Sequence, residues 1–276
     1  MAVEPAWLAT EFSHLTDIQA LDAGGQKEVF AARNVAGDRV VLKLFHATAD
    51  PERAVRELNA VAGLKGSRVP EILEVGRAQS NVGEHIWFVE QFVEGETLQQ
   101  RLLGGPQAPA DVCRWAEEIL VTLVAAQGAG IVHRDIKPAN VILDTHGDAW
   151  LIDFGIARHL GLKSVTPTSW SRGPHSPGYG PPEQFENSKH EIDTRSDLFA
   201  LGVVLYESIE GVNPYVVGTN SRDVVLDRVA SMDLPRASVR AGVSDELADL
   251  IQSMTRRARS QRPMTAIDAL EWLRES

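Results

Sequence analysis

The spacing of hydrophobic and polar residues changes about a third of the way along the chain. Up to residue 93, short apolar runs alternate with turn-forming residues, which is typical of strands. This pattern predicts strands at 15–21, 29–33, 39–45, 71–77 and 85–93. A helix is predicted at 51–64, because Pro51 suits a first helical turn.

Beyond residue 96, apolar residues recur at helical spacing, and helices are predicted at 97–103, 110–127, 195–210, 222–232, 245–255 and 265–274. The second of these has the clearest apolar stripe, at Val112, Trp115, Ala116, Ile119, Leu120 and Leu123. Residues 156–182 are rich in Gly, Ser, Thr and Pro and too numerous for an ordinary connection, so a functional loop is predicted there.

Together these elements predict an α+β fold. It consists of an N-terminal extension at 1–14, a small β-rich unit at 15–93 and a larger helical unit at 94–276, with a linker near 93–97. A chain of 276 residues is long enough for one large domain or for two lobes that share a cleft. A cleft of that kind is a usual site for a small ligand.

Composition and charge narrow the classes of function. The shares of hydrophobic residues (43%) and charged residues (24%) are ordinary for a globular protein and exclude a disordered or collagen-like chain. The 27 basic and 38 acidic residues give a formal net charge of −11, and the acidic excess is spread along the chain. Because binding to a phosphate backbone needs clustered lysine and arginine, we do not expect nucleic acid as a partner.

The sequence carries no pattern of export or membrane insertion. Cys113 is the single cysteine, which excludes an internal disulfide and a cysteine-based metal site. The first residues lack the basic and apolar regions of a signal peptide. No apolar run approaches the roughly 18 residues that a membrane span needs. We therefore expect a soluble, cytoplasmic protein.

The strongest chemical pattern is the segment 131–143, IVHRDIKPANVIL, in which polar residues interrupt two apolar runs. A hairpin over 141–152, with its turn at His146-Gly147, would bring Asn140 beside Asp153. One carboxylate and one amide oxygen suit Mg²⁺, which takes few protein ligands and adds phosphate oxygens.

These residues resemble motifs of the eukaryotic-type protein kinase family, in its serine/threonine branch as found in bacteria. His133-Arg134-Asp135 with Asn140 matches the catalytic loop, and Asp153-Phe154-Gly155 matches the metal-binding motif. The resemblance extends from about residue 15 to residue 274, and the motifs follow the family's order. Further matches are Pro181-Pro182-Glu183, Asp197 at the start of a long buried helix, and Arg262 as the partner of the glutamate.

The resemblance implies a two-lobed kinase fold, with ATP and Mg²⁺ or Mn²⁺ as cofactors. It implies that Asp135 orients the substrate hydroxyl and accepts its proton, and that Lys137 neutralises the transferred γ-phosphate. Asn140 and Asp153 would hold the metal ion. Structural roles are implied for Arg134, Ser176, Glu183, Asp197 and Arg262.

Nucleotide-binding residues are implied in the same way. Lys43 matches the lysine that grips the α- and β-phosphates, and Glu57 matches the glutamate that positions it; taken alone, Glu57 would equally suit an ion pair with Arg53 on a solvated helix face. The full set implied for ATP binding is Leu21, Gly24, Gly25, Val29, Val41, Lys43, Glu57, Glu90, Gln91, Val93, Ile142 and Asp153.

The sequence departs from the family in its glycine-rich loop. Of the three glycines only the middle one, Gly24, is in place, and Asp22 and Lys27 occupy the other two positions. Glycines let backbone N–H groups approach phosphates closely, so weak ATP binding or slow turnover is the expected cost. Lys27 could compensate by reaching the phosphates.

A second departure lies at the hydrophobic position before the adenine-binding hinge. Glu90 falls at this position and 91–93 become the hinge, whereas a register shifted by one residue would place Val89 there. A buried carboxylate is costly unless it is paired. We therefore hypothesise that Glu90 accepts a hydrogen bond from a buried donor or from the adenine amino group.

The loop before Pro-Pro-Glu suggests regulation. Ser176 stands in place of the threonine that bridges Asp135 and Lys137 in the family, and Arg134 is typical of kinases that a phosphate switches on. Candidate phosphorylation sites are Ser164, Thr166, Thr168, Ser169 and Ser171, and a merely flexible loop is the alternative.

These observations predict a serine/threonine protein kinase that uses ATP to phosphorylate proteins, including its own activation loop, as one catalytic domain. A pseudokinase is the first alternative, because the glycine-rich loop is degraded. A small-molecule phosphotransferase is the second, and Glu183 and Arg262 disfavour it. Expected partners are a protein substrate and a second copy for trans-autophosphorylation. The chain is either a stand-alone kinase or a fragment, and its acidic surface would favour basic substrates.

Overall fold

The computed structural model describes residues 3–23, 27–46, 58–64, 67–154, 178–185, 192–237 and 242–275. These residues form two compact units. The first reaches Val93, and the second begins at Glu94 and includes residues 67–69. The predicted α+β class is confirmed, since the first unit is built on a β-sheet and the second is mostly helical.

The first unit contains a five-stranded antiparallel sheet with the strand order β1-β2-β3-β5-β4. Its strands are β1 (Thr16–Ala23), β2 (Lys27–Arg33), β3 (Arg39–His46), β4 (Ile72–Ser80) and β5 (Gly83–Gln91). All five predicted strands are present. The fifth strand was predicted to end at residue 93 and instead ends at Gln91. Gln91 pairs with Val40, and β3 begins at Arg39, so β3 offers little backbone with which residues 92 and 93 could pair.

A short helix, α1 (Pro5–Glu11), precedes the sheet and was not predicted from the sequence. Side chains from this end of the chain pack on one face of the sheet, in a core formed by Val3, Leu8, Phe12, Leu15, Phe30, Ala32, Val40, Leu42, Leu44 and Val89. The backbone N–H of Val3 also donates to both carboxylate oxygens of Glu28, at 3.1 and 3.2 Å. Val3, Leu8 and Phe12 of the predicted extension are therefore part of the core of the first unit.

The opposite face of the sheet carries the charged residues of interest. Side chains alternate between the two faces of a strand, so residues 41, 43 and 45 of β3 face away from the α1 core. The strand register sets Val41 opposite Glu90 and Lys43 opposite Phe88. Lys43 and Glu90 therefore belong to the same face.

The second unit begins with a three-stranded sheet of β6 (Gly95–Thr97), β7 (Val141–Asp144) and β8 (Ala149–Leu151). The predicted hairpin is confirmed by the pairing of β7 with β8. Its turn contains Gly147 with φ +82°, a conformation that suits glycine. The predicted linker instead contains β6, where Gly95 is needed because a Cβ would overlap the carbonyl of Leu143.

The helices of the second unit are α2 (Leu98–Leu102), α3 (Pro109–Gly128), α4 (Pro182–Phe185), α5 (Thr194–Glu210), α6 (Arg222–Ser231), α7 (Asp245–Met254) and α8 (Ala266–Arg274). The six helices predicted beyond residue 96 are all present. Thr97 and Thr265 cap α2 and α8 through capping boxes, so these helices start one residue later than predicted. The predicted apolar stripe of α3 is buried throughout.

Two further predicted elements are described only in part. Residues 58–62 of the helix predicted at 51–64 are helical, and 51–57 lie outside the described residues. Of the loop predicted at 156–182, residues 156–177 lie outside them, and α4 already starts at Pro182. Within the described parts of the chain, no helix combines the length and the apolar character that crossing a membrane requires.

Candidate active site

The residues predicted to carry out catalysis lie in the second unit, between α3 and β7. A single 3-10 turn, Pro138–Asn140, connects this segment to β7. Proline suits the first position of the turn, because its φ is fixed and it needs no partner for an N–H. The backbone N–H of Asn140 donates to the carbonyl of Lys137 at 2.9 Å. The turn folds the side chain of Asn140 back towards Asp135.

Asp135 is the centre of a polar cluster. Its Oδ2 accepts hydrogen bonds from Lys137 Nζ at 2.9 Å and from Asn140 Nδ2 at 3.0 Å. The same amide nitrogen donates to the backbone carbonyl of Asp135 at 2.8 Å. One charge-assisted bond and one amide bond to a single oxygen fix the orientation of the carboxylate. A proton acceptor held in this way is preorganised for general base catalysis.

His133 is fully buried and supports the segment from inside. Its Nδ1 accepts the backbone N–H of Asp135 at 3.2 Å, so the neutral ring carries its proton on Nε2, which lies 3.0 Å from the carbonyl of Ile152. The ring also packs against Phe154, with the two centroids 4.6 Å apart. His133 therefore connects the segment of Asp135 with the segment of Asp153.

Asp197, in the first turn of α5, holds the backbone that precedes Asp135. Its two carboxylate oxygens accept the N–H groups of His133 at 2.7 Å and Arg134 at 2.8 Å. Arg134 has φ +67°, which is unfavourable for a residue with a side chain. Burial raises the pKa of Asp197 to about 7, although the two backbone hydrogen bonds act in the opposite direction.

Asp153 follows strand β8. The N–H of Ile152 donates to the carbonyl of Asn140 at 2.9 Å, so the pairing of β7 with β8 continues up to the residue before Asp153. Asp153 itself has φ +59°. Strained backbone of this kind persists only where the surrounding structure imposes it, and it is concentrated at functional sites.

Asn140 and Asp153 fit a hard divalent cation. The amide nitrogen of Asn140 is engaged with Asp135, which leaves its amide oxygen as the ligand atom, and Asp153 supplies a carboxylate. The described ranges hold no group of three or more His, Cys, Asp or Glu arranged for a metal. So small a set of protein ligands suits a divalent cation that keeps waters and phosphate oxygens in its shell.

Glu183, in α4, forms a bidentate ion pair with Arg262. The two nitrogen–oxygen distances are 2.6 and 3.0 Å, and the side chains are 8% and 0% exposed. Arg262 also donates to the carbonyls of Arg195, Arg256 and Arg257, and the hydroxyl of Ser196 donates to Glu183. The pair therefore links α4 to the start of α5 and to the turn at Arg259–Gln261.

A second support of α4 was missed by the sequence reasoning. The hydroxyl of Tyr179 donates to Glu207 of α5 at 2.7 Å, and Asn213 donates to the carbonyl of Gly178 at 3.1 Å. Burial raises the pKa of both Tyr179 and Glu207. The aromatic residue just before Pro-Pro-Glu was visible in the sequence, but no spacing rule links it to a glutamate 28 residues away.

In the first unit, Lys43 and Glu90 form a buried ion pair, with 2.5 Å between Nζ and Oε1. Val89, the alternative for the position before the hinge, lies instead in the core beneath α1. The structure thus puts Glu90, and not Val89, on the face of Lys43. The buried donor hypothesised for Glu90 is Lys43.

The other residues of the implied nucleotide set occupy varied environments. In the first unit, Leu21 is exposed on β1, and Val29, Val41 and Val93 are buried. The N–H of Gln91 donates to the carbonyl of Glu71 at 2.8 Å. The backbone N–H of Gln91 is therefore already hydrogen-bonded within the first unit, and the role of Gln91 in binding adenine stays a prediction. In the second unit, Ile142 lies half-buried on β7.

Several predicted site residues lie outside the described residues. They are Gly24 and Gly25 of the glycine-rich loop, Glu57, Ser176, and the candidate phosphorylation sites Ser164, Thr166, Thr168, Ser169 and Ser171. Their assigned roles stay predictions.

Comparison with known proteins gives one matching family over nearly the whole chain. The profile of the family described as "Protein kinase domain" matches residues 15–273. This range contains Asp135, Lys137, Asn140 and Asp153, the residues predicted to act in catalysis and metal binding.

Several similar proteins of bacterial origin are named serine/threonine-protein kinases. The chain is 33% identical over 253 residues to serine/threonine-protein kinase PknL of Mycobacterium tuberculosis, which covers 89% of this chain and 61% of PknL. It is 31% identical to serine/threonine-protein kinase pkn2 of Myxococcus xanthus, over 90% of this chain and 31% of pkn2. It is 30% identical to serine/threonine-protein kinase PknB of Mycobacterium tuberculosis, over 93% of this chain and 42% of PknB. The chain thus spans between about a third and three fifths of these relatives.

Proposed function

Because the chain belongs to the protein kinase domain family, we propose that it is an ATP-dependent serine/threonine protein kinase. It transfers the γ-phosphate of ATP to serine and threonine hydroxyls of proteins. The observation that carries the proposal is the Asp135 carboxylate, which Lys137 and Asn140 hold through one oxygen. The names of the relatives PknL, pkn2 and PknB support the choice of hydroxyl and lend no support to the pseudokinase alternative.

Each residue of the cluster has a role in this proposal. Asp135 orients the attacking hydroxyl and accepts its proton. Lys137 places a positive charge beside the transferred phosphoryl group. Asn140 and Asp153 hold Mg²⁺ or Mn²⁺, which neutralises phosphate charge when bound. Phosphoryl transfer has a loose transition state, so positioning and charge neutralisation supply most of the rate enhancement.

The proposal extends to the nucleotide and to the protein substrate. Lys43 binds the α- and β-phosphates, and residues 91–93 form the hinge. The substrates include the protein's own activation loop, modified at one or more of the sites between Ser164 and Ser171, in a second copy of the chain. A phosphate on this loop would pair with the guanidinium of Arg134.

Phosphate transfer from radiolabelled ATP to a generic protein substrate tests the proposed activity. Replacing the base, Asp135→Ala, should lower the rate by about 10²–10⁴-fold, and circular dichroism should show that the variant is folded. Equal rates for the wild type and Asp135→Ala, with nucleotide binding retained, would instead identify a pseudokinase.

Autophosphorylation has its own measurement. Intact-mass analysis after incubation with ATP should show added phosphate, and mass spectrometry of peptides should map it to residues 164–171. The control Asp153→Ala should show no added phosphate. A wild-type mass that does not change would refute autophosphorylation. It would not refute phosphorylation of other proteins, which the experiment with radiolabelled ATP tests separately.

A further inference from the structure

The ion pair between Lys43 and Glu90 joins two neighbouring strands of one sheet. Val41 lies opposite Glu90, and Lys43 is two residues further along β3, so the two side chains are diagonal neighbours on one face. Their charged atoms are 2.5 Å apart. The ring of Phe88, directly opposite Lys43, lies 5.4 Å from Nζ. Strand register alone brings these groups together.

Burial makes the pairing necessary. The side chains of Lys43 and Glu90 are 3% and 10% exposed. A charged group so far from water is strongly destabilising unless an opposite charge compensates it. Each side chain is therefore stabilised in its charged form by the other.

The resemblance to kinases puts a hydrophobic side chain where this chain has Glu90, and it assigns the positioning of Lys43 to a helical residue, Glu57. From the ion pair between the two side chains, we propose that Glu90 is a positioning residue for Lys43. This inference rests on the proposed kinase activity.

The chemistry of the two groups explains how such positioning works. An ammonium group has three protons, so one bond to Glu90 is compatible with further bonds from Lys43 to phosphate oxygens. Because both residues belong to hydrogen-bonded strands, the sheet fixes their backbones, and the ion pair then fixes the direction of Nζ before a nucleotide binds. Preorganised charge of this kind lowers the cost of reaching the transition state.

A double-mutant cycle tests the ion pair between Lys43 and Glu90 without a measurement of enzymatic activity. Urea unfolding is measured for the wild type, Lys43→Met, Glu90→Leu and the double variant. Each single change leaves one buried charge without this partner and should lower the unfolding midpoint. The double change removes both charges and should recover a large part of the loss. Effects that simply add would refute the pairing.

Steady-state kinetics tests the positioning. Glu90→Gln keeps the size of the side chain and removes its charge, so at saturating ATP we expect kcat to fall about 10- to 100-fold. The matched control is Glu84→Gln, the same change at an exposed position of the same strand, and its kcat should stay within about twofold of the wild type, as expected for a surface change.

The outcomes separate the two proposals. A higher KM for ATP with unchanged kcat in Glu90→Gln would overturn the positioning role and leave the kinase activity intact. A wild type that transfers no more phosphate than Asp135→Ala would overturn the proposed function and the positioning role with it, while the cycle would still report the ion pair.

Discussion

At the scale of single residues, the candidate active site contains two residues with strained backbone, Arg134 and Asp153, and one buried carboxylate, that of Asp197. Arg134 and Asp153 are two of the three non-glycine residues with positive φ in the described part of the chain. The carboxylate of Asp197 accepts a hydrogen bond from the backbone N–H of Arg134, and Ile152, the residue before Asp153, donates to the carbonyl of Asn140 in continuation of the β7–β8 pairing. Strain of this kind costs about 1–3 kcal/mol per residue, so these contacts offset a local cost in order to orient Asp135.

Asp197 makes the stability of this arrangement dependent on pH. Its pKa in the folded protein, about 7, lies above the value of 3.8 for an exposed aspartate. The folded state therefore binds this proton more tightly than the unfolded state does. The stability that the group contributes is fully present below about pH 4 and is lost as the pH rises towards 7.

The variant Asp197→Asn does not titrate at this position and serves as the reference. We expect the free energy of unfolding of the wild type, relative to that of Asp197→Asn, to decrease between about pH 5 and pH 7, by at most about 1.4 kcal/mol per pH unit. Above about pH 8 the difference should be constant. Urea denaturation at half-unit steps of pH measures it, and a difference that does not vary with pH would contradict the shifted pKa.

At the scale of elements, one ion pair joins α4 to the rest of the second unit. Replacing Arg262 by leucine leaves the carboxylate of Glu183 buried without its bidentate partner, and a loss of about 3–5 kcal/mol in unfolding free energy is expected. The matched control is Arg274→Leu, because Arg274 pairs with Glu117 at 2.8 Å while both side chains are about half exposed. Its loss should stay below about 1 kcal/mol. Similar losses in both variants by chemical denaturation would refute this difference.

Phe12, directly after helix α1, is an aromatic contact between this end of the chain and the sheet. Phe12 is fully buried and meets Trp7 and Trp87 edge to face, with ring centroids 5.9 and 5.1 Å away. Phe12→Ala should lower the free energy of unfolding by about 3–5 kcal/mol. Leu103→Ala is the control, since Leu103 is exposed, and should change it by less than about 0.5 kcal/mol. Thermal or urea unfolding that shows no loss for Phe12→Ala would refute this stabilising role of Phe12.

The sequence predicted those elements whose signals are local. Spacing within a few residues was enough to predict the strands, the helices beyond residue 96 and the hairpin of β7 and β8. Asp135, Lys137 and Asn140 lie in one short segment, so their proximity was predictable. Helix α1 has seven residues and is stabilised by strands far along the chain, which no local pattern reveals.

Long-range pairing accounts for the rest of the site. Glu90 was recognised as a buried carboxylate in need of a donor, but its donor, Lys43, depends on the register between β3 and β5. That register follows from the packing of the whole sheet. The hydrogen bond from Tyr179 to Glu207 was missed for the same reason, since it joins two segments that sequence spacing does not relate.

At the scale of the whole molecule, a chain with a formal net charge of −11 has to bind ATP, which is itself a polyanion. Each of the two units contains one lysine assigned to the phosphates, and each lysine forms an ion pair with a carboxylate. Lys137 lies 2.9 Å from Asp135, and Lys43 is held by Glu90. The proposed kinase would therefore attract its nucleotide at short range only, while its overall field repels anions and attracts cations.

The same field should select among peptide substrates. At low ionic strength a net charge of −11 should speed the encounter with a cationic peptide, because the Debye length is about 30 Å at 0.01 M salt. At 0.15 M it is about 8 Å, and this steering is largely screened. We expect kcat/KM for a basic serine peptide to fall several-fold over this range. For an acidic peptide of equal length, kcat/KM should stay constant or rise, because screening weakens the repulsion. If both peptides show the same salt dependence, steering by net charge is refuted, and selectivity has to come from contacts close to Asp135.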